Sequence, residues 1–146
     1  MNLLIVNGYD KNGWGKLAKY KLQPICEFYR DQLKSINPNI KTTFIYPSMD
    51  LNKIYEENFI KSFRGVVWTG SSLNIYDNTR EIKNQISLMK KMSELKINMF
   101  GSCWGMQLYT VTNSGAVKKN PKGREIGIAY NLSLIHISEP TRHHAI

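Results

Sequence analysis

Short apolar runs recur along the chain, separated by longer stretches in which apolar residues follow helical spacing. The runs lie at residues 2–7, 40–46, 65–69 and 96–100. The first is almost wholly apolar, which is typical of a parallel strand buried on both faces of its sheet, and the second is rich in β-branched and aromatic residues. Residues 8–15, with Asp10, Asn12 and glycines, predict a loop after the first strand. Because open α/β sheets bind ligands at the carboxyl ends of their strands, this loop either contacts substrate or only connects two elements.

Four stretches between and after these runs predict amphipathic helices. Their apolar residues are Ile25, Phe28, Tyr29, Leu33 and Ile36 after Pro24; Ile54, Phe59 and Phe63; Ile82, Ile86, Met89, Met92 and Leu95; and Leu108 and Val111. Asn78 and Glu81 predict a capping box at the third helix, and Gly115 predicts the end of the fourth. Alternating strands and helices predict an open, mostly parallel sheet with helices on both faces, a flavodoxin-like α/β fold.

Residues 99–107 place Cys103 where the fourth strand turns sharply into a helix, an arrangement known as a nucleophile elbow. Such a turn holds a nucleophile out from the sheet in a strained conformation, and Gly101 and Gly105 leave room for the crowded backbone around it. The N-terminus of the following helix favours a thiolate over a thiol. The pattern therefore predicts that Cys103 is a nucleophile. Cys26 lies inside a predicted helix without such a turn, which favours a packing role.

The sequence Gly101-Ser102-Cys103-Trp104-Gly105-Met106-Gln107 resembles the nucleophile motif of class I glutamine amidotransferases. Residues 65–77 resemble the family's oxyanion strand and loop, and residues 120–127 resemble the segment after the elbow helix. The similarity is strongest to the stand-alone branch that is like the amidotransferase domain of GMP synthetase. It covers roughly residues 1–130, and three motifs in the family's order carry it.

This resemblance implies a thiol enzyme that hydrolyses the side-chain amide of glutamine with a Cys-His-Glu triad. The implied catalytic residue is Cys103, and the implied oxyanion hole and substrate pocket comprise Gly70, Ser71, Trp104 and Gln107. Ser72, Asn98 and Met106 depart from residues common in the family, which bears on specificity and leaves the nucleophile in place.

Residues 132–146 resemble the translation of a sequencing-library adaptor, so we expect an amidotransferase domain over residues 1–131, incomplete at its C-terminus, followed by a non-native tail. All three histidines, His136, His143 and His144, lie in that tail. The resemblance implies that the triad His and Glu come from a segment well downstream of the elbow. We therefore assign no catalytic role to the tail histidines and expect the 146-residue chain to be inactive.

Composition limits the remaining function classes. The formal net charge is +9, but the lysines are scattered without interleaved aromatic residues, which favours a solvated basic surface over a nucleic-acid site. Apolar segments are too short to span a membrane, and two cysteines, one of which must stay reduced, indicate the cytosol. The sequence has no metal-ligand spacing and no phosphate-binding motif, so we expect no metal and no cofactor.

The leading hypothesis is a glutamine amidotransferase that releases ammonia or passes it to an acceptor, with glutamine or a γ-glutamyl compound as substrate and with a synthase partner or a homo-oligomer left open. A γ-glutamyl peptide hydrolase of the same fold is the first alternative. A cysteine peptidase or chaperone of the related superfamily would carry histidine at position 104, where this chain has Trp104. The third alternative is an inert flavodoxin-like binding domain.

Overall fold

A single parallel sheet forms the centre of the computed structural model, which describes residues 1–121 and 123. Its strands are β1 (Asn2–Val6), β2 (Lys41–Ile45), β3 (Gly65–Trp68) and β4 (Met99–Gly101). They lie in the order β2-β1-β3-β4, and every neighbouring pair is parallel. The predicted open parallel α/β architecture is confirmed.

Helices connect these strands and cover the sheet. Within the described residues they are α1 (Lys11–Lys19), α2 (Ile25–Ile36), α3 (Glu57–Lys61), α4 (Arg80–Glu94) and α5 (Trp104–Thr112), with a short 3₁₀ turn at Ile75–Asp77. Since crossovers between parallel strands are long, each pair of sequential strands is joined by at least one helix.

The core has two parts because successive side chains of a strand point to opposite faces of the sheet. On one face, Leu4 and Trp68 pack with buried residues of α4 and α5. On the other face, Ile5 and Val67 form a smaller cluster with Cys26 of α2. The prediction of helices on both faces is therefore confirmed.

Helix α1 corrects the loop predicted over residues 8–15. Asp10 is its N-cap, and the Asp10 carboxylate accepts a hydrogen bond from the Gly13 N–H at 2.8 Å. Trp14 in this helix packs edge-on against Tyr46, with ring centroids 5.6 Å apart. This cap and this contact outweigh the low helix propensity of the two glycines that made the segment look like a loop.

The apolar stripe predicted for α2 is partly wrong. Tyr29 and Leu33 pack beside Cys26 against the sheet, whereas Phe28 and Ile36 are exposed. The packed face is rotated towards Cys26, so apolar residues outside that face remain in solvent.

Helix α4 begins one residue later than the predicted capping box implied. Thr79 is the N-cap, and its hydroxyl oxygen accepts a long 3.5 Å hydrogen bond from the Ile82 N–H. Asn78 instead ends the preceding 3₁₀ turn in a left-handed conformation, φ 55°, which Asn tolerates. The predicted core stripe of α4 is confirmed by the burial of Ile82, Met89 and Met92.

Strand β4 is shorter than predicted and begins at Met99, because Lys96 takes a left-handed turn, φ 53°. It pairs with β3, and no other described strand lies beside it. Phe100 is consequently 59% exposed. Helix α5 ends at Thr112, ahead of the predicted Gly115, because Ser114 already adopts a left-handed conformation, φ 64°.

None of the described helices is both long enough and apolar enough to cross a membrane. Most of the motif predicted over residues 120–127, and all of the predicted tail over residues 132–146, lie outside the described residues.

Stability measurements can test the packing of α4 against the sheet. Ile82→Ala removes a side chain that is fully buried between α4 and the sheet, so we expect a loss of about 2–5 kcal/mol in the free energy of unfolding. Ile36→Ala is the matched control, because Ile36 is 82% exposed and should change stability by less than about 0.5 kcal/mol. Urea denaturation of both variants measures the difference, and equal losses would contradict the packing described for α4.

Candidate active site

Cys103 joins β4 to α5 in a backbone conformation that non-glycine residues rarely adopt. It is the N-cap residue of α5, with φ 50° and ψ −91°, and it is exposed. A residue held in a sparsely populated region costs about 1–3 kcal/mol, so the surrounding structure must maintain it. The sharp strand-to-helix turn predicted at Cys103 is present.

Two glycines permit this turn by allowing close approach of the backbone. A Cβ added to Gly105 would lie 2.9 Å from Trp68 Cβ, and one added to Gly101 would lie 2.8 Å from the carbonyl carbon of Gly105. Atoms cannot pack at such separations, so a side chain at Gly105 would push α5 away from β3 and one at Gly101 would push α5 away from β4. Helix α5 can therefore start directly beside the strands.

Main-chain hydrogen bonds hold the elbow from both sides. The Ser102 N–H donates to Trp68 O at 3.3 Å, and the Gly105 N–H donates to Ser102 O at 3.1 Å. The Gln107 N–H donates to Cys103 O at 3.1 Å and closes the first turn of α5. The N–H of Trp104, the first residue of the helix, belongs to the group that has no partner within a helix. Gln107 is half-buried one turn into α5.

The turn after β3 meets the turn after β1 beside the elbow. The Thr69 hydroxyl accepts from the Gly8 N–H and donates to Gly70 O, each at 2.9 Å. A Cβ added to Gly8 would lie 2.6 Å from Gly70 O and 2.8 Å from Trp104 Cδ1. The structure therefore brings both Gly70 and Trp104 close to the same point beside Gly8.

Ser71 shapes the turn after β3. Its hydroxyl oxygen accepts from the Leu73 N–H at 3.1 Å, which bridges these two residues of the turn. A Cβ added to Gly70 would meet no described atom within 4 Å, so the space above this residue is open.

Tyr9 and the start of α1 lie at the same edge of the sheet. Burial raises the pKa of the Tyr9 hydroxyl, and the negative charge of a Cys103 thiolate adds to that rise. A Cβ added to Gly13 would lie 2.6 Å from Ser72 Oγ, so α1 packs directly on the turn after β3. The segment between β1 and α1 therefore lies beside Cys103 and the turn after β3.

Gln85 of α4 is a polar residue at this edge that the sequence pattern did not identify. It is fully buried, and its side chain hydrogen-bonds with Trp68, Trp104, Gly8 and Ser48. The one signal in the sequence was its position in α4, three residues after Ile82 and four before Met89, where the apolar stripe would otherwise continue.

Cys26 has a different environment from Cys103. It is fully buried between α2 and the sheet, 3.9 Å from the Tyr46 hydroxyl. Burial raises the pKa of the Cys26 thiol, against the opposing hydrogen bond from Tyr46. These features agree with the predicted packing role.

A groove of about 530 Å³ lies along β4, and Cys103 does not contribute to its lining. Phe100, Met106 and Tyr109 contribute to its lining. Among residues 1–121 and 123, no cluster of three or more His, Cys, Asp or Glu side chains could hold a metal ion.

Comparisons with known proteins find sequence relatives and a structural neighbour. No protein-family model matches the chain. It is 27% identical over 117 residues to a γ-glutamyl-L-1-hydroxyisopropylamide hydrolase from a Pseudomonas species, covering 80% of this chain and 39% of that protein. It is 28% identical over 80 residues to γ-glutamyl peptidase 4 of Arabidopsis thaliana, covering 55% of this chain and 32% of that protein.

The chain thus spans well under half the length of these curated relatives. A crystal structure of a glutamine amidotransferase from Methylobacillus flagellatus superposes with a TM-score of 0.50 at 15% identity, covering 82% of this chain and 41% of that one. The fold of the described residues is therefore the flavodoxin-like α/β fold of class I glutamine amidotransferases.

Proposed function

We propose that this chain is the nucleophile-bearing part of a class I glutamine amidotransferase or a related γ-glutamyl hydrolase, which cleaves the γ-amide bond of glutamine or a γ-glutamyl compound. The observation that carries the proposal is Cys103, exposed at a strained strand-to-helix turn on the carboxyl edge of a parallel sheet. Similarity to two γ-glutamyl hydrolases supports the substrate class.

In the proposed reaction, the Cys103 sulfur attacks the γ-carbonyl carbon of the substrate and forms a tetrahedral intermediate. The carbon–nitrogen bond then breaks, and ammonia or an amine leaves after taking up a proton. Water attacks the resulting thioester, which releases glutamate and restores the Cys103 thiol.

The oxyanion of that intermediate needs fixed donors. We assign this role to the main-chain N–H of Trp104 and to one N–H from the turn at Gly70 and Ser71. The close approach of both Gly70 O and Trp104 to the position that a Gly8 Cβ would occupy supports the pairing of these two segments. Each such donor typically lowers the barrier by about 3 kcal/mol. Gln107 borders the pocket in this proposal.

The proton-transfer partners lie elsewhere in the proposed enzyme. Residues 1–131 contain no histidine, and the family resemblance implies that the His and Glu of the triad come from a segment downstream of the elbow. The proposal places the enzyme in the cytosol and involves no metal, cofactor or nucleic acid. An acceptor-synthase partner or a homo-oligomer is compatible with it.

The γ-glutamyl hydrolase is the second candidate because both curated relatives carry that activity in their names. The two candidates share every step of the chemistry and differ only in the leaving group. Comparing glutamine with a γ-glutamyl alkylamide as substrates separates them.

The proposed domain boundary is testable at the level of the gene. We expect the genomic reading frame to depart from this sequence at about Asn131 and to continue into a segment containing His-x-Glu, because 27–28% identity extends over less than two fifths of each relative. Amplification of the locus and sequencing through the Asn131 codon tests this. A genomic stop codon directly after the Ile146 codon would contradict it.

Activity measurements test the nucleophile and the need for a base. The 146-residue chain should release glutamate from glutamine or a γ-glutamyl amide at least about 10³-fold more slowly than the chain extended by its genomic continuation, since loss of a triad member costs that much. In the extended chain, Cys103→Ala should abolish release, whereas the matched control Cys26→Ala should retain it. Equal turnover by the two chain lengths would show that residues 1–146 suffice for catalysis.

Thiol labelling tests the elbow without requiring turnover. We expect iodoacetamide to label Cys103 in the folded 146-residue chain, whereas Cys26 should react only after denaturation because it is fully buried. Peptide mass spectrometry quantifies both sites, with Cys103→Ser as the control. Native labelling of Cys26 at the rate of Cys103 would be inconsistent with the two environments.

A further inference from the structure

Gln85 uses every hydrogen-bonding position of its side-chain amide. Its oxygen accepts from Trp104 Nε1 at 2.8 Å and from Trp68 Nε1 at 3.3 Å. Its nitrogen donates to Gly8 O at 3.1 Å and to Ser48 Oγ at 2.5 Å. A glutamine amide has two donor hydrogens and two acceptor sites, so all four are occupied.

The chemistry of the partners fixes the orientation of this amide. An indole N–H can only donate, so the Gln85 oxygen must face the two tryptophans. A main-chain carbonyl can only accept, so the nitrogen must face Gly8. Reversing the amide would place its NH₂ group against the two indole N–H donors. The partners therefore allow one orientation of the Gln85 amide.

The partners of Gln85 come from the carboxyl ends of different strands. Gly8 follows β1, Ser48 follows β2, and Trp68 ends β3. Trp104 is the first residue of α5, directly after Cys103. One buried amide on α4 thus connects the elbow to the segments that follow the three other strands.

The indole of Trp104 has little freedom to move in this arrangement. It is 1% exposed, its Nε1 is bound to Gln85, and its Cδ1 would lie 2.8 Å from a Cβ at Gly8. Because the side chain is fixed, the main chain of Trp104 is fixed too, including the N–H that the proposed function assigns to the oxyanion hole.

We propose that Gln85 is a positioning residue for the reaction at Cys103: it anchors the Trp104 indole and thereby aligns the Trp104 N–H with the turn at Gly70. This inference rests on the proposed function. A buried, satisfied glutamine could instead serve stability alone, and the two roles make different predictions for chemistry at the thiol.

Gln85→Met keeps the approximate length of the side chain and removes all four hydrogen bonds. Two electrophiles then report different properties of Cys103. Iodoacetamide measures exposure of the sulfur, whereas a diazoketone analogue of glutamine also requires the substrate carbonyl to bind in the oxyanion hole. The ratio of their rates with the wild-type chain, extended by its genomic continuation, defines the preference for the glutamine analogue.

We expect Gln85→Met to lower this preference at least about tenfold while the iodoacetamide rate changes less than about threefold, because positioning of the Trp104 N–H is lost and exposure is kept. Tryptophan emission should shift, since two buried indole N–H groups lose their acceptor. Leu88→Ala controls for lost core stability on the same helix, and Asn84→Ala controls for a lost hydrogen bond to Pro47 O beside Ser48. Both controls should keep the wild-type preference.

Trp104→Phe tests the same contact from the other side and serves if Gln85→Met does not fold. It should also lower the preference, and in a double-mutant cycle the two losses should not add, because both variants remove the same Gln85–Trp104 hydrogen bond. An unchanged preference in both variants, additive losses, or an equal loss in Leu88→Ala would overturn the inference while leaving Cys103 as the nucleophile. No wild-type preference for the glutamine analogue would overturn the proposed function and this inference with it.

Discussion

The close approach of α5 to β3 is the constraint on which the rest of this structure depends. Trp68 and Gly105 are so near that no side chain fits between them, and Gly101 meets the start of the same helix. Because α5 begins this close to the strands, the chain has no room for a gradual turn, and Cys103 adopts φ 50°. The lack of side chains at Gly101 and Gly105 thus allows the turn that exposes the cysteine.

Elements that depend on local pattern were predictable from the sequence. The strands were found because they are short apolar runs or, for β2, rich in β-branched and aromatic residues. Helix α4 was found because Ile82, Met89 and Met92 follow helical spacing. The elbow was also predictable, because the two glycines that it requires lie within two residues of the cysteine in the sequence. Helix α1 was not, because its stability depends on the contact of Trp14 with Tyr46, which is distant in sequence.

The candidate site was predictable only in part, for the same physical reason. One short motif contains Cys103, Trp104 and Gly105. The hydrogen-bond partners of Gln85, in contrast, are as distant in sequence as Gly8. Composition and periodicity mark Gln85 only as a polar interruption of an apolar stripe. The hydrogen bonds of its side-chain amide form only when four segments that are separate in sequence come together in the fold.

The network around Gln85 also constrains how such a protein can evolve. Trp68 and Trp104 donate to the same oxygen of Gln85, so replacing either indole leaves one acceptor site of that oxygen unoccupied. Replacing Gln85 leaves two buried N–H donors without an acceptor, at a cost of about 1–3 kcal/mol each. Most single substitutions among these three positions are therefore unfavourable. A homologue that lacks this network should differ at several of these positions together. The residues at positions 68, 85 and 104 should therefore be conserved or replaced as a group.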